Sequence, residues 1–202
     1  MRQTKIIGIL NITPDSFSDG GLYIDDESIL DATQKLIDDG AAIIDIGAES
    51  TRPGATILSH EEEWQRLGNI LPQICKLIKS SEILSSIDTR HAKTAKKAIY
   101  EGIDWINDVS GLDDPAMREI IATAKADCVV MHHLSIPERR DNILDRSQDP
   151  VQTVYAWGEK RLAELERSGI ARAVGARSLW SAPRRRGSCR RQPVRWHRAT
   201  RF

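Results

Sequence analysis

Five times within the first 170 residues a short apolar run is followed by a longer segment with helical periodicity, and this alternation constrains the fold more than any other feature of the chain. The first run, Lys5–Ile12 (KIIGILNI), reads as a buried strand. Ser28–Asp39 reads as an amphipathic helix with Ser28 as its N-cap and Gly40 as its C-terminal glycine. Ala42–Ile46 is the second strand, and Ser59–Lys79 is a single helix in which Ser59 and Glu62 have capping-box spacing. Leu84–Asp88 with Ala92–Glu101, stopped by Gly102, form the third pair. Asp104–Val109 with Pro115–Lys125, and Cys128–His132 with Val151–Ser168, complete the series. Strands too apolar to leave a face in water are covered by helices in a parallel sheet.

Two parallel architectures fit: an open doubly wound sheet and a closed eight-stranded barrel. No glycine-rich phosphate fingerprint follows the first strand, which counts against a dinucleotide-binding open sheet. A different polar group follows each strand instead. Asn11 and the Thr13–Gly21 loop follow the first, Glu49-Ser50-Thr51-Arg52 the second, and Asp88-Thr89-Arg90 the third. Asn107-Asp108 end the fourth and His132-His133 the fifth. Polar groups delivered by successive strand ends to one mouth are how a barrel builds a site. The expected fold is therefore α/β, a TIM-type (β/α)8 barrel that is incomplete here, with about five βα units.

Composition narrows the class. With 40% hydrophobic and 29% charged residues the chain is globular, and no apolar run approaches the roughly 18 residues of a membrane span. The N-terminal stretch MRQTKIIGILNITPDS has no small-residue cleavage site, so no signal peptide is expected. Cys75, Cys128 and Cys189 are far apart and form no metal-ligand spacing, which suggests free thiols in a cytoplasmic protein.

Two segments carry a resemblance. GILNITPDSFSDGG (Gly8–Gly21) and IIDIGAESTRPGA, ending at Ala55, resemble the signatures of the dihydropteroate synthase family. Ser86-Ile87-Asp88-Thr89 and Ile106-Asn107-Asp108-Val109-Ser110 fit that family in order and spacing. The resemblance covers about 170 residues, roughly five of eight barrel units. It implies a transferase that joins 4-aminobenzoate to 6-hydroxymethyl-7,8-dihydropterin diphosphate and expels diphosphate, in folate biosynthesis. It implies Mg2+, held by the amide oxygen of Asn11; a diphosphate-side role for Thr51; and pterin binding by Asp88 and Asn107. It also implies that Arg52 and Pro53, with Phe17 from the first loop, order over aminobenzoate, which sulfonamide drugs mimic. On the same resemblance Asp88, Asn107 and Arg52 are the candidate catalytic residues, and a full-length member is expected to be a homodimer.

Plainer roles stand beside these. Asn11 could cap a strand end, Asp88 could cap the helix beginning near His91, and Asn107-Asp108 could form a turn. Asp45 and Glu49 read as barrel-interior hydrogen-bonding groups. His132 and His133, adjacent on a strand, point to opposite faces and do not chelate together. Cys128 and Met131 read as core. A related barrel, the pterin-binding methyltransferase, shares the third- and fourth-strand Asp and Asn, but the TPDSFSDGG and ESTRPG loops belong to the aminobenzoate and diphosphate side.

The resemblance stops where the charge changes. All 29 acidic residues lie at or before Glu166, whereas residues 171–202 carry ten arginines, two tryptophans and no acid. The family's Asp-Pro-Gly-x-Gly-Phe-Gly-Lys segment, its later Ser-Arg-Lys and its Arg-x-His do not follow Gly169-Ile170. Such a tail suits a nucleic-acid arm poorly and a change of reading frame near residue 170 well. The expected outcome of sequencing the coding DNA from codon 160 past codon 202 is a second frame encoding Asp-Pro-Gly-x-Gly. Its absence from all three frames would refute the frameshift.

Overall fold

In the computed structural model the described residues are 5–13, 25–50, 54–124, 126–137, 139, 141–145 and 147–170. Among these residues, five strands form one sheet: β1 Ile7–Asn11, β2 Ile43–Gly47, β3 Leu84–Asp88, β4 Trp105–Asp108 and β5 Asp127–Val130. Among the described residues six helices accompany them: α1 Asp26–Asp38, α2 His60–Leu67, α3 Leu71–Ser80, α4 Ala92–Tyr100, α5 Pro115–Ala124 and α6 Pro150–Arg167. All strand pairs are parallel and the spatial order is β1-β2-β3-β4-β5. A doubly wound sheet reverses its strand order at a switch point; this order never reverses, as in a barrel. The fold is an incomplete (β/α) barrel of five strands. Among the described residues, no helix is long and apolar enough to cross a membrane.

Alternation along the strands separates two faces. Leu10, Ile44, Ile46, Ile87 and Ile106 point to the helices and are 0–2% exposed. They pack with Ile29 of α1, Leu67 of α2, Ile74 and Ile78 of α3, Ala95 and Ala98 of α4, and Met117 and Ile121 of α5. The opposite face carries Ile9, 66% exposed, and then the polar residues of the strand ends. The core is thus the sheet–helix layer.

Local chemistry moves two helix ends from their expected places. Asp25, not Ser28, caps α1: its carboxylate accepts the Glu27 and Ser28 N–H groups and the Ser28 hydroxyl. An ionised carboxylate three residues upstream outcompetes a hydroxyl for the free N–H groups of the first turn. The expected single helix over Ser59–Lys79 is two, α2 and α3, separated at Gly68–Ile70. Pro72 stands in the first turn of α3, where its missing N–H costs nothing; inside one continuous helix it would remove a hydrogen bond. The Ser59–Glu62 capping box forms as expected. So does the glycine stop after α1: Gly40 has φ +86°, its N–H donates to Ile37 (2.9 Å), and the Ala41 N–H donates to Leu36 (3.1 Å).

Neighbouring residues of β1 test this face assignment. Leu10→Ala is expected to destabilise by about 2–4 kcal/mol through the cavity it leaves, and Ile9→Ala by less than about 0.5 kcal/mol. Urea denaturation of both variants measures the contrast; equal losses would contradict the two-face arrangement.

Candidate active site

The strand register assembles the site. Asn11 of β1 pairs in register with Gly47 of β2, Gly47 with Asp88 of β3, and Asp88 with Asn107 of β4. In-register residues of parallel strands share a face, so Asn11, Asp88 and Asn107 stand together at the C-terminal edge. Gly47 keeps the row open. A Cβ there would lie 3.6 Å from Asn11 Oδ1 and 3.8 Å from Asp88 Oδ2, filling the space between amide and carboxylate.

A second layer lies two residues deeper. Asp45 of β2 is in register with Ser86 of β3, and both are buried. Asp45 Oδ1 accepts the Ser86 hydroxyl at 2.6 Å, and Oδ2 accepts the Asn107 Nδ2–H at 2.8 Å. With its nitrogen committed downward, Asn107 keeps a buried Oδ1 that has no partner among the described residues. An unsatisfied buried acceptor costs about 1–3 kcal/mol, which a ligand donor recovers.

Carboxylates dominate the field here. Asp88 is pushed up to about 8, chiefly by burial and then by Asp45, Glu63, Asp108 and Glu49. Burial also raises Asp45, against the lowering effect of its two hydrogen bonds, and raises Asp108. At neutral pH Asp88 is therefore mainly protonated in the free site, and a ligand that presents N–H donors or positive charge would ionise it.

The plainer roles sort cleanly. Asp88 does not cap α4, whose N-cap is His91; the adjacent Thr89 hydroxyl accepts the His91 N–H at 3.1 Å. Asp108 is the turn former: it accepts from the Ser110 N–H, the Ser110 hydroxyl and the Leu112 N–H. His133 faces the Ser110 carbonyl and the Asp113 carboxylate, while His132 stands edge-on to Trp157 at 4.9 Å. The two histidines diverge, as neighbours beyond a strand end do. Among the described residues no group of three His, Cys, Asp or Glu side chains could hold a metal ion.

Glu49 departs from the interior role read from the sequence. It clasps the rim: Arg90 donates to both of its oxygens (2.8 and 2.9 Å), and Oε1 also accepts the Leu58 N–H at 2.9 Å. Arg90 donates to the Leu58 carbonyl as well, at 3.2 Å. A planar guanidinium suits this double recognition. Both ends of the β2–α2 connection are thereby fastened to Arg90, just beyond β3. Phe17, Thr51, Arg52 and Pro53 lie outside the described residues.

Glu63 carries no role in the sequence reading, where it is the third of three acids that open a helix. It is wholly buried on α2, accepts the Thr89 hydroxyl at 2.8 Å, and its second oxygen has no hydrogen-bond partner among the described residues. The apolar stripe Leu67, Ile70, Ile74 and Ile78, extended back one turn, falls on Glu63, and that was the available signal. Burial chiefly raises it to about 7. Its folded value lies above its unfolded one, so its stability cost is absent at pH 4, grows as the unfolded chain ionises, and is complete above pH 7. Glu63→Gln keeps an acceptor for Thr89 and removes that cost. Thermal unfolding is expected to show the variant about 1–3 kcal/mol more stable at pH 8 and indistinguishable near pH 4.

Comparison with known proteins matches this arrangement. The pterin binding enzyme family matches over residues 7–174. The dihydropteroate synthase of Bacillus subtilis is 43% identical over 155 residues, covering 75% of this chain and 53% of that protein. A dihydropteroate synthase structure from Anaplasma phagocytophilum, with bound 6-hydroxymethylpterin-monophosphate, superposes with a TM-score of 0.74 at 37% identity. It covers 84% of this chain and 63% of that one. One from Xanthomonas albilineans, with 4-aminobenzoic acid, gives 0.71 at 32% identity, covering 83% and 57%. The chain spans from 16% to 58% of the lengths of such curated relatives. With its strand order, its strand-end row and this match over most of its length, the chain belongs to the pterin binding enzyme family.

Proposed function

We propose that the chain is the pterin-binding part of a dihydropteroate synthase, which condenses 6-hydroxymethyl-7,8-dihydropterin diphosphate with 4-aminobenzoate in folate biosynthesis. The observation that carries this reading is the pairing of Asp88 with Asn107: a carboxyl raised to about 8 beside a buried amide oxygen with no partner among the described residues. Together they form an edge that wants N–H donors, and a pterin ring offers amide and amino N–H groups side by side. In the reaction the C–O bond between methylene and diphosphate breaks, the arylamine nitrogen forms the new C–N bond, and that nitrogen loses a proton. Asp88 would accept ring N–H groups and, once ionised, stabilise cationic character developing on the pterin as diphosphate departs. Asn107 would fix the ring in plane. Through the family resemblance, Thr51 falls to the diphosphate and Phe17, Arg52 and Pro53 to the aminobenzoate.

Mg2+ would be shared here between the protein and the substrate, whose oxygens would be its ligands. It prefers oxygen, and it is usually held by one or two protein groups with the substrate phosphates completing its sphere. Asn11 Oδ1 stands at the mouth, 3.6 Å from the Cβ that Gly47 lacks, with Asp88 on the other side. When bound, Mg2+ would neutralise charge on the departing diphosphate. A cytoplasmic location belongs to the same reading.

Fluorescence titration of the 202-residue chain with the pterin diphosphate, with and without Mg2+, tests the proposal. Affinity is expected to rise with pH up to about 8 and then level off, because the ionised Asp88 is the better acceptor. Asp88→Asn should abolish that slope and weaken binding by on the order of tenfold or more. Asn11→Ala should lose the enhancement by Mg2+ while retaining metal-free binding. Failure of the wild-type chain to bind any pterin would reject this function.

A further inference from the structure

Asp45 is a buried carboxylate held by two neighbouring strands. It is 8% exposed, and Asn107 above it is 6% exposed. Its two oxygens are divided between β3 and β4: Ser86 Oγ donates to Oδ1 and Asn107 Nδ2 donates to Oδ2. A side-chain amide can be turned over, exchanging its oxygen for its nitrogen. Here the turned form would set Asn107 Oδ1 against Asp45 Oδ2, acceptor against acceptor, in a buried site. A proton on Oδ1, shared with the Ser86 hydroxyl, leaves Oδ2 an acceptor, so the preference survives protonation there. The consequence lies on the far side of the amide, where a buried Oδ1 has no partner among the described residues.

We infer that Asp45 is a positioning residue: it locks the Asn107 amide with its oxygen toward the ligand, and so makes this site select a heterocycle by its N–H donors. Asp45 acts through Asn107 and does not contact the ligand. Ser86 is its support, holding the second oxygen so that the first stays aimed at β4. The specificity follows from the buried acceptor. A ring that offers a lone pair at this point meets another lone pair, and a site built to hydrogen-bond one group rejects the analogue that lacks it. This inference rests on the pterin-binding reading for the identity of the heterocycle, but the lock itself exists without any ligand.

The test therefore has two arms. In the ligand-free wild-type chain, the Asn107 side-chain NH2 signals in a 15N spectrum should be shifted and protected from solvent exchange, which requires no variant. Free exchange of those protons would overturn the lock whether or not a pterin binds. In the second arm, 6-hydroxymethylpterin is titrated into wild type, Asp45→Leu, Asp45→Asn, Asn107→Ala and the Asp45→Leu/Asn107→Ala double variant. Asp45→Leu should bind at least tenfold more weakly, whereas Asp45→Asn, which keeps a carbonyl for Asn107 and an amide for Ser86, should stay within about threefold of wild type. In the Asn107→Ala background, Asp45→Leu should cost less than about twofold further. Additive losses, or an Asp45→Asn variant as weak as Asp45→Leu, would show that Asp45 acts directly or as general scaffold, and would overturn the inference. If the wild type binds no pterin, the functional reading fails, and the amide exchange still decides the lock.

Discussion

The structure depends on strands paired in parallel and in register, with side chains alternating between two faces. Because each residue of β2 faces its counterpart on β3, and β3 on β4, one row becomes core and the next becomes site. Ile46, Ile87 and Ile106 are fully buried against helices, while the offset row carries Asp45, Ser86, Asp88 and Asn107. A slip of one residue would exchange the two sets, placing carboxylates in the helix layer and isoleucines in the mouth. Burial of the aliphatic row, worth roughly 1.5–3 kcal/mol per large side chain, holds the polar row where it is.

That polar row is costly and is stabilised locally. Asp45 is offset by two strand-bridging hydrogen bonds, Asp108 by three bonds within its own turn, and Glu49 by a double contact with Arg90. Among the described residues of this row, Asp88 accepts no hydrogen bond and the amide oxygen of Asn107 has no partner. On the proposed reading, residues that hold geometry are separated from residues that would bind, and the separation follows strand depth. Asp45 and Ser86 sit one layer down, and Asn11, Asp88 and Asn107 at the edge.

Much of this is legible in the chain itself. The first four strands, β1 to β4, fall within one or two residues of the expected runs, because apolar residues at strand positions are punctuated by Gly40, Gly102 and the strand-end polar groups. β5 starts at Asp127, one residue early, and ends at Val130, two residues before the expected His132. Helix ends were less legible. Asp25 displaced Ser28 as the cap, and the Gly68–Ile70 break before Pro72 divided a helix whose apolar stripe runs through both halves. The stripe persists because both pieces pack on the same sheet, so periodicity alone did not reveal the break.

The sequence by itself determined the class of fold, the family, and which residues stand at strand ends, since apolar periodicity and the two signature segments are local properties of the chain. It named Asn11, Asp88 and Asn107 without showing that they share one row. Only the tertiary structure decided the roles of Asp45, Glu49 and Glu63. Asp45 meets Asn107 across 62 positions, Glu49 meets Arg90 across 41, and Glu63 meets Thr89 across 26. Hydrogen bonds and desolvation act over a few ångströms of space, and sequence distance carries no record of them.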